Sequence, residues 1–255
     1  MGDVINLGIW DLILVLSVSA QATVIAYVYE PKWKALVLNL PIPFTFAVLA
    51  VGRQVDITNI LGLFLLFCFF HVVRYLHYNL SVTIIAAIIT SALGYCATGS
   101  ALARILPRTN VSFWITAILI LTLAYLLYRT GSYRAEPGHR TPLPIWIKLP
   151  IIALVIFFLV SIKAYMQGFM TIFPMVGVIS AYEARHSLWT ICRQIPVVML
   201  TLAPLMIVCR VTQSSIGLVM GLSVGWVAFL AVFLPVTYSM WTNDKKQFLQ
   251  NMEEI

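Results

Sequence analysis

Residues 80–103 read LSVTIIAAIITSALGYCATGSALA and contain no charged side chain. As a helix, this stretch is long enough to cross the roughly 30 Å hydrocarbon core of a bilayer, which takes about 20 residues. Residues 214–240 form a second such stretch. Because lipid offers the backbone no hydrogen-bond partners, these runs are either helices or strands of a closed barrel. Barrel strands alternate apolar and polar residues, and residues 60–70 (ILGLFLLFCFF) do not. The sequence therefore predicts an α-helical bundle in a membrane.

Composition supports the same fold class. Of 255 residues, 61% are hydrophobic and 10% are charged, whereas soluble domains carry about 25% charged residues. The net charge of +7 is explained by the Lys and Arg bias of cytoplasmic membrane loops, without nucleic acid as a partner. Four cysteines lie in apolar runs without a CxxC spacing, which is typical of buried thiols rather than metal or redox sites. No cofactor or metal is expected.

The apolar runs predict about nine transmembrane helices: 7–29, 35–51, 57–78, 80–106, 111–128, 144–162, 165–182, 187–208 and 214–240. The first follows Asp3 rather than a basic segment, so we expect a retained helix and no signal peptide. With nine crossings, one side of the membrane holds ten Lys and Arg side chains and the other holds five. This asymmetry predicts a multi-pass membrane protein with its N-terminus outside and its C-terminus cytoplasmic.

Two stretches of the chain resemble each other in the order of their features. Each has a proline-interrupted helix, a short polar segment, an apolar helix and a glycine-containing last helix. Pro43 and Pro174 are equivalent in this comparison and lie 131 positions apart. We interpret residues 1–106 and 144–242 as two four-helix repeats, with a spacer helix and cytoplasmic loop at 107–143 and a tail at 243–255. The alternative is the weak self-similarity of any chain rich in Leu and Ile.

The odd number of spacer helices bears on the relation between the repeats. One crossing at 111–128 inverts the second repeat relative to the first. Inverted repeats related by an axis in the membrane plane are a recurring transporter architecture. If the spacer does not cross, the repeats are parallel and this argument fails.

A short motif resembles the small GlpM-type inner-membrane proteins. It is carried by Phe173-Pro174-Met175-Val176-Gly177 and Tyr182-Glu183-Ala184-Arg185, and more loosely by Pro43-Phe44-Thr45-Phe46-Ala47. The resemblance covers residues 149–234 and, less well, 7–106. Those proteins are single four-helix units, whereas the repeat interpretation gives this chain two such units. The resemblance implies a link to exopolysaccharide (alginate) production without assigning a molecular activity.

Arg193 is the first candidate for substrate binding, because a charge inside a bilayer is costly and invites a functional explanation. Next to Gln194, its guanidinium would hold an anionic group. The alternatives are that Arg193 reaches the interface or pairs with Glu183.

His71 is a second candidate, since imidazole titrates near neutrality, although an interfacial cluster with Arg74 is an alternative.

The prolines mark a third candidate region. Pro43 with Thr45, and Pro174 in the second half, interrupt corresponding helices. Proline leaves carbonyl groups unpaired, and paired interruptions of this kind point to a transporter site. Packing alone is the alternative. The Gly217, Gly221 and Gly225 ladder predicts close helix packing, either internal or between two copies.

The sequence thus predicts a small secondary transporter or flippase with an unidentified, anionic substrate. The alternative is a non-catalytic membrane subunit of a larger assembly such as exopolysaccharide export machinery. A homodimer or partner membrane proteins are compatible with both. Glu183 is a further candidate for substrate binding. The least favoured alternative is an intramembrane enzyme that uses His71 or Glu183 as acid or base. An enzyme is not expected, because the chain has no GxxxxGK[ST], HExxH or GxSxG motif.

Overall fold

The computed structural model describes residues 8–132, 134–139, 144–161 and 167–253. Within these ranges the chain is helical and contains no strand. The helices are α1 Ile9–Tyr27, α2 Pro31–Leu38, α3 Ile42–Val51, α4 Ile57–Tyr78, α5 Ile84–Ile105, α6 Asn110–Thr130, α7 Ile145–Ser161, a 3₁₀ helix Gln167–Ile172, α8 Met175–Glu183 and α9 Leu188–Glu253. The predicted all-helical fold is therefore confirmed for the described part of the chain.

Six segments in these ranges are long and apolar enough to cross a membrane: Ile9–Tyr27, Pro31–Val51, Ile57–Tyr78, Ile84–Ile105, Asn110–Thr130 and Leu188–Gln247. Two shorter apolar helices, Ile145–Phe157 and Gly168–Glu183, accompany them. Large apolar side chains cover the outer faces of the peripheral helices, as at Ile89 of α5, Ile118 of α6 and Val227 of α9. An apolar outer surface over helices of this length is what lipid requires.

Side-chain caps set the ends of several helices. Asp56 precedes α4, and its carboxylate accepts a hydrogen bond from the Thr58 backbone N–H at 2.8 Å. Thr109 caps α6 in the same way, through the backbone N–H of Ser112. Gly52 ends α3 with a φ of 66°, a left-handed conformation that glycine adopts without steric cost. Local sequence therefore fixes these boundaries.

Helix α9 is a hairpin of two limbs, residues 188–216 and 218–253. Its backbone turns at Gly217, where φ is 82° and ψ is 166°. A Cβ atom at Gly225 would lie 3.0 Å from the carbonyl oxygen of Leu205, and one at Gly221 would lie 3.0 Å from the Thr212 hydroxyl. The glycine ladder is therefore used inside the chain, where it lets the two limbs approach closely.

Helix α4 and the first limb of α9 pack against each other in opposite directions at the centre of the bundle. At one end, the Tyr78 hydroxyl accepts a hydrogen bond from the Leu188 backbone N–H at 3.2 Å and donates to the Arg185 carbonyl at 3.1 Å. At the other end, the Gln213 amide bonds to both the N–H and the carbonyl of Val55, at 2.9 and 3.2 Å. The end of each helix thus holds the segment that precedes the other.

Two interrupted helices flank this central pair. Residues 39–41 separate α2 from α3, and Phe173 with Pro174 separates the 3₁₀ helix from α8. The 3₁₀ helix packs against both α3 and α4. Gly168 permits this contact, because a Cβ atom there would lie 2.0 Å from the Thr58 hydroxyl.

Candidate functional site: a charged cavity at the basic end

Most cationic side chains of the described residues gather at one end of the bundle, which we call the basic end. Contacts among the helix termini bring them together, such as Arg74 over the Trp189 ring and Lys148 over the Tyr27 ring. Ten cations lie at this end: Lys32, Lys34, Arg74, Arg129, Arg134, Lys148, Arg185, Arg193, Lys245 and Lys246. The opposite end has four, at Arg53, Arg104, Arg108 and Arg210. The charge asymmetry expected from the sequence is therefore present in the fold.

A cavity of about 300 Å³ opens at the basic end between the link from α1 to α2, the start of α2, both limbs of α9 and the loop after α6. We call it the basic-end cavity. Its charged lining consists of Glu30, Lys32, Arg134, Glu136, Arg193 and Asp244. The lining contains both cations and carboxylates. An anionic ligand could therefore bind the guanidinium groups here, but it would have to displace the carboxylates from them.

The predicted binding residues Arg193 and Gln194 both line this cavity. The Arg193 guanidinium pairs with the carboxylate of Asp244, which joins the two limbs of α9. Arg193 also borders two neighbouring cavities of about 270 and 450 Å³. Gln194 is only 3% exposed, and its side-chain amide has no hydrogen-bond partner among the described residues. The structure therefore places an amide that bonds to no described residue beside a guanidinium at the wall of a cavity.

Glu136 was not identified as a site residue from the sequence. Its carboxylate accepts hydrogen bonds from the backbone N–H groups of Trp189, at 3.2 Å, and Thr190, at 2.6 Å. These are free donors in the first turn of α9, where the helix dipole favours a negative charge. The sequence offered one indication of its role, since Glu136 is the only carboxylate in the loop at residues 129–141. Its partner, 53 positions away, is not visible in the sequence.

Glu183 belongs to a buried cluster with two lysines. Its carboxylate lies 3.0 Å from the Lys148 ammonium, and both side chains are almost fully buried. The Lys34 ammonium donates to the backbone carbonyls of Glu183, at 2.8 Å, and His139, at 2.6 Å. Lys34 is 1% exposed, although it belongs to the cations that the sequence placed on one side of the membrane. The cluster joins α2 and α7 to α8 and the loop after α6.

His139 and His186 make an edge-to-face contact beside this cluster, with ring centroids 4.7 Å apart. Burial lowers the pKa of both imidazoles below the ordinary value of 6.5, and the nearby Arg185 guanidinium lowers each further. Glu183 opposes this shift at His139. Both rings therefore lose their proton at a lower pH than a free imidazole does.

His71 lies outside the basic-end cavity. Its Nδ1 atom is 2.9 Å from the Phe67 carbonyl oxygen, and its ring stacks on Phe67. It lines the adjoining 270 Å³ cavity together with Arg74 and Arg193. His71 and Arg193 are therefore neighbours across a shared space rather than members of one cluster.

The predicted proline segments do come together. Pro43 and Pro174 line a common apolar cavity of about 60 Å³, with Phe44, Phe70 and Ile195. Thr45 instead accepts a hydrogen bond from the Trp226 indole at 2.9 Å and donates to the Pro41 carbonyl. Ile195 follows Gln194 on α9, so the apolar cavity begins within one helical turn of the basic-end cavity.

Comparison with family models, curated proteins and solved structures gives no match for this chain. The resemblance to the GlpM-type proteins therefore stays a prediction.

Proposed function

We propose that this protein is a small secondary transporter or flippase of the inner membrane, with its C-terminus in the cytoplasm and an anionic substrate. One observation carries the proposal: the interrupted helices of the two halves meet around a single cavity. Pro43 after the first interruption and Pro174 at the second lie on its wall. Transporters bind substrates where discontinuous helices from two repeats face each other, because the broken backbone leaves polar groups available.

The antiparallel packing of α4 and the first limb of α9 supports inverted repeats. Tyr78 holds the segment before α9, and Gln213 holds the segment before α4. Tyr78 and Gln213 are 135 positions apart, close to the 131 positions between Pro43 and Pro174. A two-fold axis in the membrane plane produces this reciprocal exchange, whereas an axis along the membrane normal would make the two helices parallel.

The arrangement of the cavities supports an anionic substrate. Arg193 and Gln194 face the charged basic-end cavity, and Ile195, Val198 and Leu202 face the apolar cavity deeper in the bundle. A substrate with an anionic group would first meet the guanidinium. An apolar tail, or the rocking of one half against the other, would then engage the interrupted helices.

The test is transport by the purified protein in liposomes. Solid-supported-membrane recording with a panel of inorganic and organic anions, with and without a proton gradient, covers soluble substrates. Dithionite quenching of a fluorescent phosphatidylglycerol covers lipid substrates. We expect one of these assays to give a signal that Arg193→Gln abolishes. Arg104→Gln, at the opposite end on an exposed position, is the matched control and keeps the signal.

The outcomes separate the two interpretations of the sequence. A signal unaffected by Arg193→Gln contradicts the proposed site. The absence of any signal from a folded, monodisperse preparation contradicts the transporter proposal. Co-purification with a second membrane protein would then favour a non-catalytic subunit of a larger assembly.

A further inference from the structure

The start of α9 is an anion-binding position that the chain fills with its own carboxylate. Glu136 reaches it from the loop that follows α6 and accepts from the N–H groups of Trp189 and Thr190. The loop is held on either side of Glu136. The Trp189 indole contacts the Ser132 carbonyl, and Lys34 binds the His139 carbonyl. The carboxylate is therefore tethered above the helix rather than belonging to it.

The same cavity wall carries a second polar group, the Gln194 amide, which does not bond to Glu136. Gln194 lies one helical turn beyond Thr190 and lines the same cavity. It is 97% buried, and its amide bonds to no described residue of the protein. Although the residue as a whole is buried, its amide reaches the cavity, where it is placed to bond to a ligand. Arg193 stands beside it and adds a guanidinium.

The chemistry of this wall suits a tetrahedral oxyanion better than a carboxylate. The two oxygens of Glu136 are both used by the two backbone N–H groups. A phosphate group has further oxygens, which can accept from the Gln194 amide while the first two replace Glu136. Helix N-termini with a neighbouring arginine are common phosphate sites.

We propose that Glu136 is a tethered occupant of a phosphate-binding site formed by the N-terminus of α9, Gln194 and Arg193, and that a phosphate-bearing ligand displaces it. The inference rests on the proposed function, because it names the ligand class of the transport site. It also assigns a role to the loop after α6: the loop competes with the ligand and closes the site when no ligand is bound.

The experiment measures binding without transport. Full-length protein in neutral detergent is titrated with inorganic phosphate at constant ionic strength, and the dissociation constant is taken from the rise in Tm. Glu136→Gln removes the charge but keeps an oxygen that accepts from α9. We expect it to bind phosphate about tenfold more tightly than the wild type, because the carboxylate that competes with phosphate is gone. Gln194→Met keeps the volume, removes the amide and weakens binding about tenfold.

Glu30→Gln is the matched control, since Glu30 lines the same cavity without contacting the start of α9. Unchanged or weaker phosphate binding by Glu136→Gln overturns the proposal. An equal gain in Glu30→Gln also overturns it, because the effect would then be general electrostatics. If Glu136 only caps α9 and does not compete with a ligand, Glu136→Gln lowers the Tm measured without phosphate and leaves the dissociation constant for phosphate unchanged.

Nanodiscs distinguish the sources of the phosphate group. If phosphatidylglycerol raises the Tm relative to phosphatidylcholine and competes with inorganic phosphate, the ligand is a lipid headgroup. If phosphate alone acts, the ligand is a soluble anion. The absence of both effects refutes the site. If the protein binds phosphate but gives no flux in liposomes, only the transporter proposal is contradicted. If it gives flux but Glu136→Gln does not change the affinity for phosphate, only this inference is contradicted.

Discussion

Buried charge is the dominant feature at the scale of single residues. Lys34, Lys148 and Glu183 are all less than 6% exposed, and a buried ion is tolerated only with partners close by. Lys148 has the Glu183 carboxylate and the Ala26 carbonyl, and Lys34 has two carbonyls. These contacts cross from α2 and α7 to α8, so they hold the two halves of the chain together at the basic end.

Glu183→Gln should therefore be strongly destabilising. The substitution keeps the shape of the side chain but removes the charge opposite the Lys148 ammonium, and breaking a buried pair costs about 3–5 kcal/mol. Thermal unfolding in detergent measures this loss. Glu183→Gln combined with Lys148→Met should lose less than the sum of the two single changes.

The exposed pair of Arg108 with Asp56, at 3.8 Å, is the control for that experiment. Arg108→Gln should change the stability by no more than about 1 kcal/mol, because solvent screens a surface pair. Equal losses at Glu183 and Arg108 would contradict the structural role of the buried cluster.

At the scale of elements, the hairpin of α9 depends on one residue. Gly217 has φ 82° and ψ 166°, a region of backbone space that is almost restricted to glycine. A side chain there meets no neighbouring atom within 4 Å, so any effect of substitution arises from the backbone alone. The limbs then pack through Gly221 and Gly225, which keeps Arg193 opposite Asp244.

Gly217→Ala should lower the free energy of unfolding by about 1–3 kcal/mol, the cost of a strained backbone conformation. Gly94→Ala is the control: Gly94 is helical, exposed and also free of neighbours within 4 Å. It should be neutral or gain up to about 1 kcal/mol from helix propensity. Urea or thermal unfolding of the two variants gives the comparison, and an unaffected Gly217→Ala would mean that the hairpin tolerates a different turn.

At the scale of the whole molecule, the two ends of the bundle differ in charge, and α6 runs from one end to the other. Asn110 begins α6 at the end that carries Arg53, while Ser132 follows it at the basic end with Asn79 and Asn243. An end-to-end α6 places an odd helix between the halves. This is the geometric condition for inverted repeats.

Single cysteines in a cysteine-free background test this topology. We expect an impermeant thiol reagent to label Ser132→Cys, Asn79→Cys and Asn243→Cys from one side of the membrane, and Asn110→Cys and Arg53→Cys from the other. Ser187 is unsuitable as a reporter because it is 1% exposed. Labelling of positions 110 and 132 from the same side would mean that α6 does not cross, and the inverted-repeat proposal would fail.

The sequence by itself determined the helical class, most helix boundaries and the two interrupted segments. These features depend on information within a few residues of each other: the length of an apolar run, a capping side chain such as Asp56, or a proline that removes a backbone donor. The two limbs of α9 were also expected as separate helices, but the break was predicted at residues 209–213, whereas the backbone turns at Gly217. The cation asymmetry between the loops was likewise a property of the sequence.

Only the tertiary structure decided which polar groups meet. Lys34 bonds to a carbonyl 149 positions away, Arg193 pairs with Asp244 across a hairpin, and Glu136 of the loop after α6 caps the start of α9. Arg193 was predicted as a binding residue, whereas Lys34 and Lys148 were only counted among the cations on one side of the membrane. The physical reason is that a charge becomes buried only when distant elements close around it, and the spacing of residues along the chain does not encode that closure.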